Sequence, residues 1–377
     1  MIHIAYYISA FDKSQAVRAC TIIDAYSRVN PFVFFYIRTS AADWLFNLHL
    51  RNNYFYYEAK IDAIPLKAGG VKADSSSLLL EFEKFYEAWD EHLHHETQFL
   101  LENKIALVLG DIPPLAFAAA RNVRVHSVGI GNFSPEELLQ KYMAEIPGFM
   151  EYVKRMRHEY RHADLLLRLP FHSEMDAFRN IRDIPLVCRQ ARRRRNDIRR
   201  FLGCEPADRI VLLALDEKDQ IRLNLDALKK FPHYKFVFPG TKSSDQKFIA
   251  FVEQSLPLEE LINAADFVIA LPEYRIIADC IANSSPLLFT IPEGTPVHAP
   301  LLDAAHNHCT SVFLNNEDFF QGNWREALLY LEDSPALDQN IRLDGAAVAA
   351  RKIDDFLKST TLHSSRRNVS AANPRKE

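Results

Sequence analysis

Residues Leu107 to Pro135 read LVLGDIPPLAFAAARNVRVHSVGIGNFSP. An apolar run, Ile105–Leu109, stops at Gly110-Asp111, and Pro113-Pro114 stand where a helix would open before an alanine-rich segment. Proline suits a first helical turn because the N–H it lacks would be unpaired there anyway. A second apolar run, Val123–Val128, stops at Gly129-Ile130-Gly131-Asn132. Strand, loop, helix, strand and loop in this order make one βαβ unit with two parallel strands. Both loops leave the carboxyl ends of their strands, the edge at which open parallel sheets bind ligands.

The same alternation extends in both directions. Upstream, Ile2–Ile8, Phe32–Ile37 and Tyr54–Tyr57 read as strands, Gln15–Ser27 as an amphipathic helix, and Ser75 opens a long helix to about Asn103. Downstream, Ser134 and Glu137 form a capping box, and Ala163–Leu169 closes the first half. After a connection from Pro170 to about Gly203, strands are expected at Ile210–Leu215, Lys235–Phe238, Phe267–Ala270, Pro286–Phe289 and Thr310–Phe313. Helices fit between and after them, at Gln190–Leu202, Ile221–Lys230, Asp245–Gln254, Leu258–Ala264, Arg275–Ala282, Trp324–Leu331 and Gly345–Lys358. The pattern predicts an α/β protein with two Rossmann-like doubly wound domains, 1–170 and 171–358, and a disordered tail at 359–377.

Composition narrows the classes. A chain of 377 residues accommodates two cores, and a net charge of −4 gives no general pull toward nucleic acid or acidic membranes. No apolar run approaches the roughly 18–20 residues of a membrane span, and the N-terminus enters a strand without a basic leader. Five scattered cysteines with no CxxC pair point to a reducing cytoplasm and no zinc site. Glycine is scarce, 11 residues or about 3% against a usual ~7%, and loops that cradle phosphate need it. The basic run Arg189–Arg200 suggests nucleic acid by composition alone, but acidic neighbours or a solvated face explain it more simply.

Asp-Ile-Pro-Pro-Leu-Ala, the following strand and Gly-Asn-Phe-Ser resemble the N-terminal half of GT-B-fold glycosyltransferases. The nearest resemblance is to the MurG-like group and to the glycosyltransferase-like region ahead of some sugar kinases. It resumes at Ala163–Arg189 and at Leu258–Thr290. It implies two domains facing a cleft, a nucleotide-sugar donor, an unidentified acceptor, and no cofactor or metal.

Measured against that family, the loops depart from pattern. The first loop of such enzymes reads GHGxGHxxR; here Ala10, Asp12 and Ser14 take the glycine positions, Phe11 and Gln15 the histidine positions, and only Arg18 matches. Phe11 cannot accept a proton, which leaves Asp12 as the nearest substitute base, or a plain loop before a helix. Asp111 is a candidate catalytic residue, placed to orient a sugar hydroxyl or back up a base, or else it caps the Pro113 helix; Asn132 and Ser134 either meet the acceptor or serve as loop and cap. Asp216-Glu217-Lys218 occupies a turn that faces a donor diphosphate, where each unpaired acid within ~5 Å costs the phosphate roughly 1 kcal/mol or more.

The donor motif KPGYGxxxE is matched by Leu271 to Asp279, with Glu273 and Arg275 in place of both glycines and Tyr274 and Asp279 retained in kind. Arg275 either binds phosphate bidentately or satisfies Glu273, the two sealing the pocket. Glu293 and His298 stand where such enzymes contact the transferred sugar, although a lone histidine at a helix start is commonly structural. Three readings follow: an active nucleotide-sugar glycosyltransferase; a GT-B-like binding or regulatory protein without the chemistry; or an enzyme on the same body, such as a hydrolase or epimerase, whose ligand is not a nucleotide diphosphate.

Overall fold

The computed structural model describes residues 1–10, 13–51, 53–63, 75–140, 143, 146–240, 245–291, 299–335, 337 and 340–371. Asp12, Glu293 and His298 lie outside the described residues.

The first sheet contains β1 (Ile2–Ile8), β2 (Val33–Thr39), β3 (Tyr54–Glu58), β4 (Leu107–Asp111), β5 (His126–Gly131), β6 (Leu165–Arg168) and β7 (Ile181–Asp183). Their order is β3-β2-β1-β4-β5-β6-β7, all parallel. The second contains β8 (Arg209–Ala214), β9 (Tyr234–Pro239), β10 (Phe248–Phe251), β11 (Phe267–Ala270), β12 (Leu287–Phe289) and β13 (Ser311–Phe313), in the order β10-β9-β8-β11-β12-β13. It too is parallel throughout. Two doubly wound, Rossmann-like sheets are therefore present, as expected. The βαβ unit at the centre of the sequence argument is β4, a helix at Pro114–Val123, and β5, with Leu109 opposite Val128.

The helices that position the site are α1 (Lys13–Val29) and α2 (Trp44–His49) from the first half, and α3 (Leu258–Ala264) and α4 (Tyr274–Asn283) from the second. The last helix, α5 (Gly345–Ala371), returns across the molecule onto α1, where the Tyr26 hydroxyl donates to Asp354 at 3.2 Å.

Parallel strands are buried on both faces, so they read as near-continuous apolar runs. One hydrophobic core joins the two halves: Ile4, Ile22 and Phe46 of the first belong to the same cluster as Ile262, Ile277 and Ile353. Separate cores cover the outer face of each sheet.

Several expectations are corrected. Asp245–Gln254 is not a helix: Phe248–Phe251 pairs with β9 as an edge strand and buries both phenylalanines. Ile181–Asp183 adds a strand to the first sheet, which thus extends beyond residue 170. Only Arg195–Phe201 of the expected helix Gln190–Leu202 is helical, because main-chain N–H groups of the preceding residues bond to side chains instead. Helix α5 continues through 359–371, where a disordered tail was expected; 372–377 lie outside the described residues.

Helix α5 begins against the segment between the halves. Gly345 donates its N–H to Leu186 at 3.1 Å, and a Cβ there would meet the carbonyl oxygens of Pro185 and Leu186, the latter at 2.5 Å. Backbone cannot yield as a side chain does. Gly345→Ala should lower the unfolding free energy by about 1–3 kcal/mol in urea titration; an unchanged midpoint would mean that the helix start is not seated this tightly.

Candidate functional site

Helix α1 carries Arg18 on its buried face, and β4 ends at Asp111, which is 1% exposed. The guanidinium forms a bidentate pair with the Asp111 carboxylate, Nε and Nη2 donating at 2.7 and 2.6 Å, and Nη1 donates to the Asn132 side chain at 3.2 Å. It lies 5.1 Å from the ring centroid of Tyr274. Arg18, Asp111, Asn132 and Tyr274 thus meet in one buried group spanning both halves. Fork-to-fork geometry is what makes such an arginine hard to replace by lysine. The N-cap position of the helix after β4 is Pro113, with Pro114 in the first turn.

Ser134 forms half of the expected capping box: its N–H and hydroxyl both donate to the Glu137 carboxylate, at 3.3 and 3.1 Å. Glu137 also accepts from the Ser173 hydroxyl and from the Met175 N–H, which ties this loop to the segment after β6. The neighbouring Glu136 is completely buried. Burial lifts its carboxyl to about 7, with the Ser134 hydroxyl and Arg157, 3.9 Å away, offsetting only part of the rise.

Arg275 and Asp279, four residues apart on α4, pair with each other at 3.6 Å. Both belong to a buried network around the connection between the halves. The Arg189 N–H donates to Asp279 at 2.8 Å, and its guanidinium donates to Glu259 of α3 at 2.6 Å and to Thr21 of α1 at 3.2 Å. Arg275 approaches Glu259 to 3.7 Å. Burial raises the Asp279 carboxyl; Arg275 opposes that rise and Glu259 reinforces it. For Glu259 the arginines Arg189 and Arg275 outweigh burial and hold the carboxyl below its usual range. His49 of α2 sits 3.9 Å from Glu259, and desolvation together with the charge of Arg189 pushes it down to about 3, so the ring is neutral. The acid at the donor-motif position therefore accepts from the chain's own backbone, and the partners of Arg275 are Glu259 and Asp279.

The basic run is absorbed in the same way. Arg195 and Arg199 converge on Asp266 at 2.6 and 2.7 Å, Arg192 reaches Asp24 at 3.0 Å, and the N–H groups of Arg192 and Arg193 bond Glu260.

Between the halves lies a cleft of about 860 Å³ at the carboxyl edges of both sheets. Its first-domain wall includes Lys13, Ala42 and Trp44; the opposite wall carries Asp216, Glu217, Lys218, Asp219, Glu253 and Glu273. Lys13 bridges the opening, 2.7 Å from both Glu253 oxygens and 3.9 Å from Asp216. Asp219 pairs with Arg222 at 3.2 Å. Among the described residues no cluster of His, Cys, Asp or Glu is arranged to hold a metal ion, and no helix is long and apolar enough to cross a membrane. Sequence reasoning missed Trp44, Glu253, Glu259 and His49. The adjacent acids Glu259-Glu260 in the first turn of a helix were the only visible signal, and nothing local named their partners.

No family model matches the chain. L-arabinokinase of Arabidopsis thaliana is 29% identical over 216 residues, 55% of this chain and 20% of that protein, so the chain spans about a fifth of this curated relative's length. Among solved structures, a glycotransferase of kitacinnamycin matches with a TM-score of 0.59 at 13% identity, covering 96% of this chain and 98% of that one. A spinosyn rhamnosyltransferase complexed with thymidine diphosphate matches at 0.58 and 12%, covering 95% and 96%. A structure described as a UDP-N-acetylglucosamine 2-epimerase from Listeria monocytogenes matches at 0.60 and 10%, covering 96% of each chain. The chain has the GT-B fold of these proteins, the architecture that the sequence resemblance implied.

The pH dependence of stability follows from Glu136. Its folded pKa of about 7 exceeds its ordinary value of 4.5, so the folded protein holds a proton that the unfolded chain releases. Stability contributed this way is complete below pH 4.5 and is lost as pH rises toward 7. Glu136→Gln should therefore raise the unfolding free energy at pH 8 by roughly 2–3 kcal/mol and converge with wild type near pH 4. Parallel pH–stability curves for the two proteins would contradict this.

Proposed function

We propose that the interdomain cleft binds a carbohydrate, and that this chain is a glycosyltransferase-type body that holds an uncharged sugar there in place of a nucleotide diphosphate. The cleft wall carries the argument. Of five carboxylates on the cleft, Asp216, Glu217, Asp219, Glu253 and Glu273, Asp219 is paired with Arg222 and Glu253 with Lys13, while Lys218 is the other lysine there. A diphosphate entering this wall meets net negative charge at a few ångströms, with each unpaired acid costing roughly 1 kcal/mol or more. Sugar hydroxyls, by contrast, donate to carboxylates, and the Trp44 ring supplies an apolar face. Arg275 and Asp279, the residues that would hold phosphate and ribose on the pattern of the resembled family, are occupied by Glu259, Arg189 and each other. The partial similarity to L-arabinokinase supports a carbohydrate ligand and makes L-arabinose the first free sugar to try. A cytoplasmic setting belongs to the same reading, supported by free cysteines throughout.

A second reading, active transfer from a nucleotide sugar to an acceptor, is favoured by the size of the cleft, which suits a ligand of that bulk, and by the fold. In it the first domain serves the acceptor and the second the donor; Asp12, Asp111 and His298 are its candidate catalytic groups, and Glu293 its candidate contact to the transferred sugar.

Calorimetry and thermal shift with UDP-, GDP-, TDP- and CMP-sugars, with and without Mg²⁺, beside free pentoses and hexoses, separate the two. The proposal expects saturable binding of a free sugar, weakened by Glu217→Gln, and silence from the nucleotides. Saturable binding of any sugar nucleotide would replace it with the second reading.

A further inference from the structure

One edge of the first sheet is β3, Tyr-Phe-Tyr-Tyr-Glu at 54–58, and among the described residues no strand pairs with its outer side. Asn53 accepts from the Phe35 N–H and the Ala59 N–H donates to Thr39, both at 2.9 Å, so the odd-numbered residues of this stretch face β2. In a parallel ladder the residues between them turn their N–H and C=O groups the other way. Tyr54, Tyr56 and Glu58 therefore present theirs at the rim of the sheet. Such a rim is a template for pairing unless charge, proline or a bulge blunts it. At the opposite edge β7 exposes Arg182 and Asp183. By contrast β3 carries a single charge, Glu58 at its end, and exposes Phe55 and Tyr57, which are 45% and 39% accessible.

Both exposed rings are already held from behind. Phe55 lies 6.0 Å from Phe34 and 5.2 Å from Tyr36 between ring centres, and Tyr57 stacks on Tyr36 at 6.1 Å and meets Phe99 edge-on at 5.3 Å. Rings fixed in this way lose little rotamer freedom when a partner covers them. We infer that β3 pairs antiparallel with β3 of a second copy of this chain, about a two-fold axis at Tyr56, and so joins the two first-domain sheets into one.

The register follows from which groups point outward. A two-fold at Tyr56 sets Tyr54 opposite Glu58 and Tyr56 opposite itself, so every outward N–H and C=O of the strand meets its counterpart. A slip of one residue sets outward groups against inward ones, and a slip of two carries Glu58 past the end of the strand. In antiparallel pairing the side chains approach most closely at the positions without hydrogen bonds. Here those positions bring Phe55 against Tyr57 of the second copy, and Tyr57 against its Phe55, so each aromatic ring gains an aromatic neighbour. The two Glu58 carboxylates end about 13 Å apart along the ladder, beyond the ~8 Å screening length of physiological salt. A foreign strand would have to bring matching rings, whereas this chain supplies them itself. No residue of β3 lines the cleft, so the inference is independent of what the cleft binds.

Sedimentation of the full chain tests this. The mass should rise from one chain to two between roughly 1 and 100 µM, the range suited to a short strand interface. Phe55→Lys and Tyr57→Glu alter exposed side chains, and each removes an aromatic contact on both sides of the axis while burying an unpaired charge. Each alone should weaken association about tenfold or more. Mixed in equal amounts, the two variants should associate about tenfold more tightly than either does alone, because the introduced ammonium then faces the introduced carboxylate. Glu58→Pro removes an N–H that β2 does not use, so it should leave thermal unfolding of the single chain in place and abolish the dimer. If Glu58→Pro fails to fold, the mixing experiment still decides. A single-chain mass at every concentration, a dimer that tolerates Glu58→Pro, or charge variants that ignore each other on mixing would overturn the inference.

Discussion

The arrangement of the two halves depends on one buried contact, that of Arg189 with the acids of α3 and α4. Its main-chain N–H is held by Asp279, its guanidinium by Glu259, and its far nitrogen reaches Thr21 on α1. A charge taken out of water repays its desolvation only when all its donors find partners, and breaking such a pair costs about 3–5 kcal/mol because the survivor is left uncompensated. Connection, first domain and second domain therefore meet at this buried group. The apolar core shared by α1, α2, α3, α4 and α5 surrounds that point and excludes water from it.

The consequences reach the cleft. Tyr274 opens α4 and stacks against Arg18, so the first turn of the helix that a donor would approach is already packed against the opposite domain. Asp279, 1% exposed, faces the connection. Arg18, Tyr274 and Asp279 are thus all bonded or packed within the protein, and Glu273, at one of the motif's glycine positions, stands on the cleft wall. On the reading proposed above, such a wall suits a ligand that wants hydroxyl acceptors better than one that needs bare backbone N–H groups.

Much of the fold was legible because parallel strands announce themselves. Val-Leu-Gly-Asp before Pro113 and Val-Gly-Ile-Gly before Asn132 are apolar runs with physical stops, and both are strands. The strand Ile181–Asp183 left no such trace: its three residues sit at a sheet edge, two of them exposed. Phe-Ile-Ala-Phe at 248–251 was ambiguous because four apolar residues fit one helical turn or a buried strand equally, and its pairing with β9 decided the matter. The site was less legible. Arg275 and Asp279 show their helical spacing in sequence, but Arg189, Glu259 and Thr21 are scattered along the chain and only the fold brings them together. Charge runs tell how many ions must be neutralised, never which ones meet.

The most direct measurement is amide hydrogen exchange at Arg189 and the first turn of α4 in the ligand-free protein. A backbone N–H bonded to a buried carboxylate opens only with the structure around it. The account predicts strong protection at Arg189 that is lost in Asp279→Ala and unaltered by added TDP- or UDP-sugar. Rapid exchange that becomes protected only when a sugar nucleotide is added would show that Asp279 serves a ligand instead, and would contradict the account at its centre.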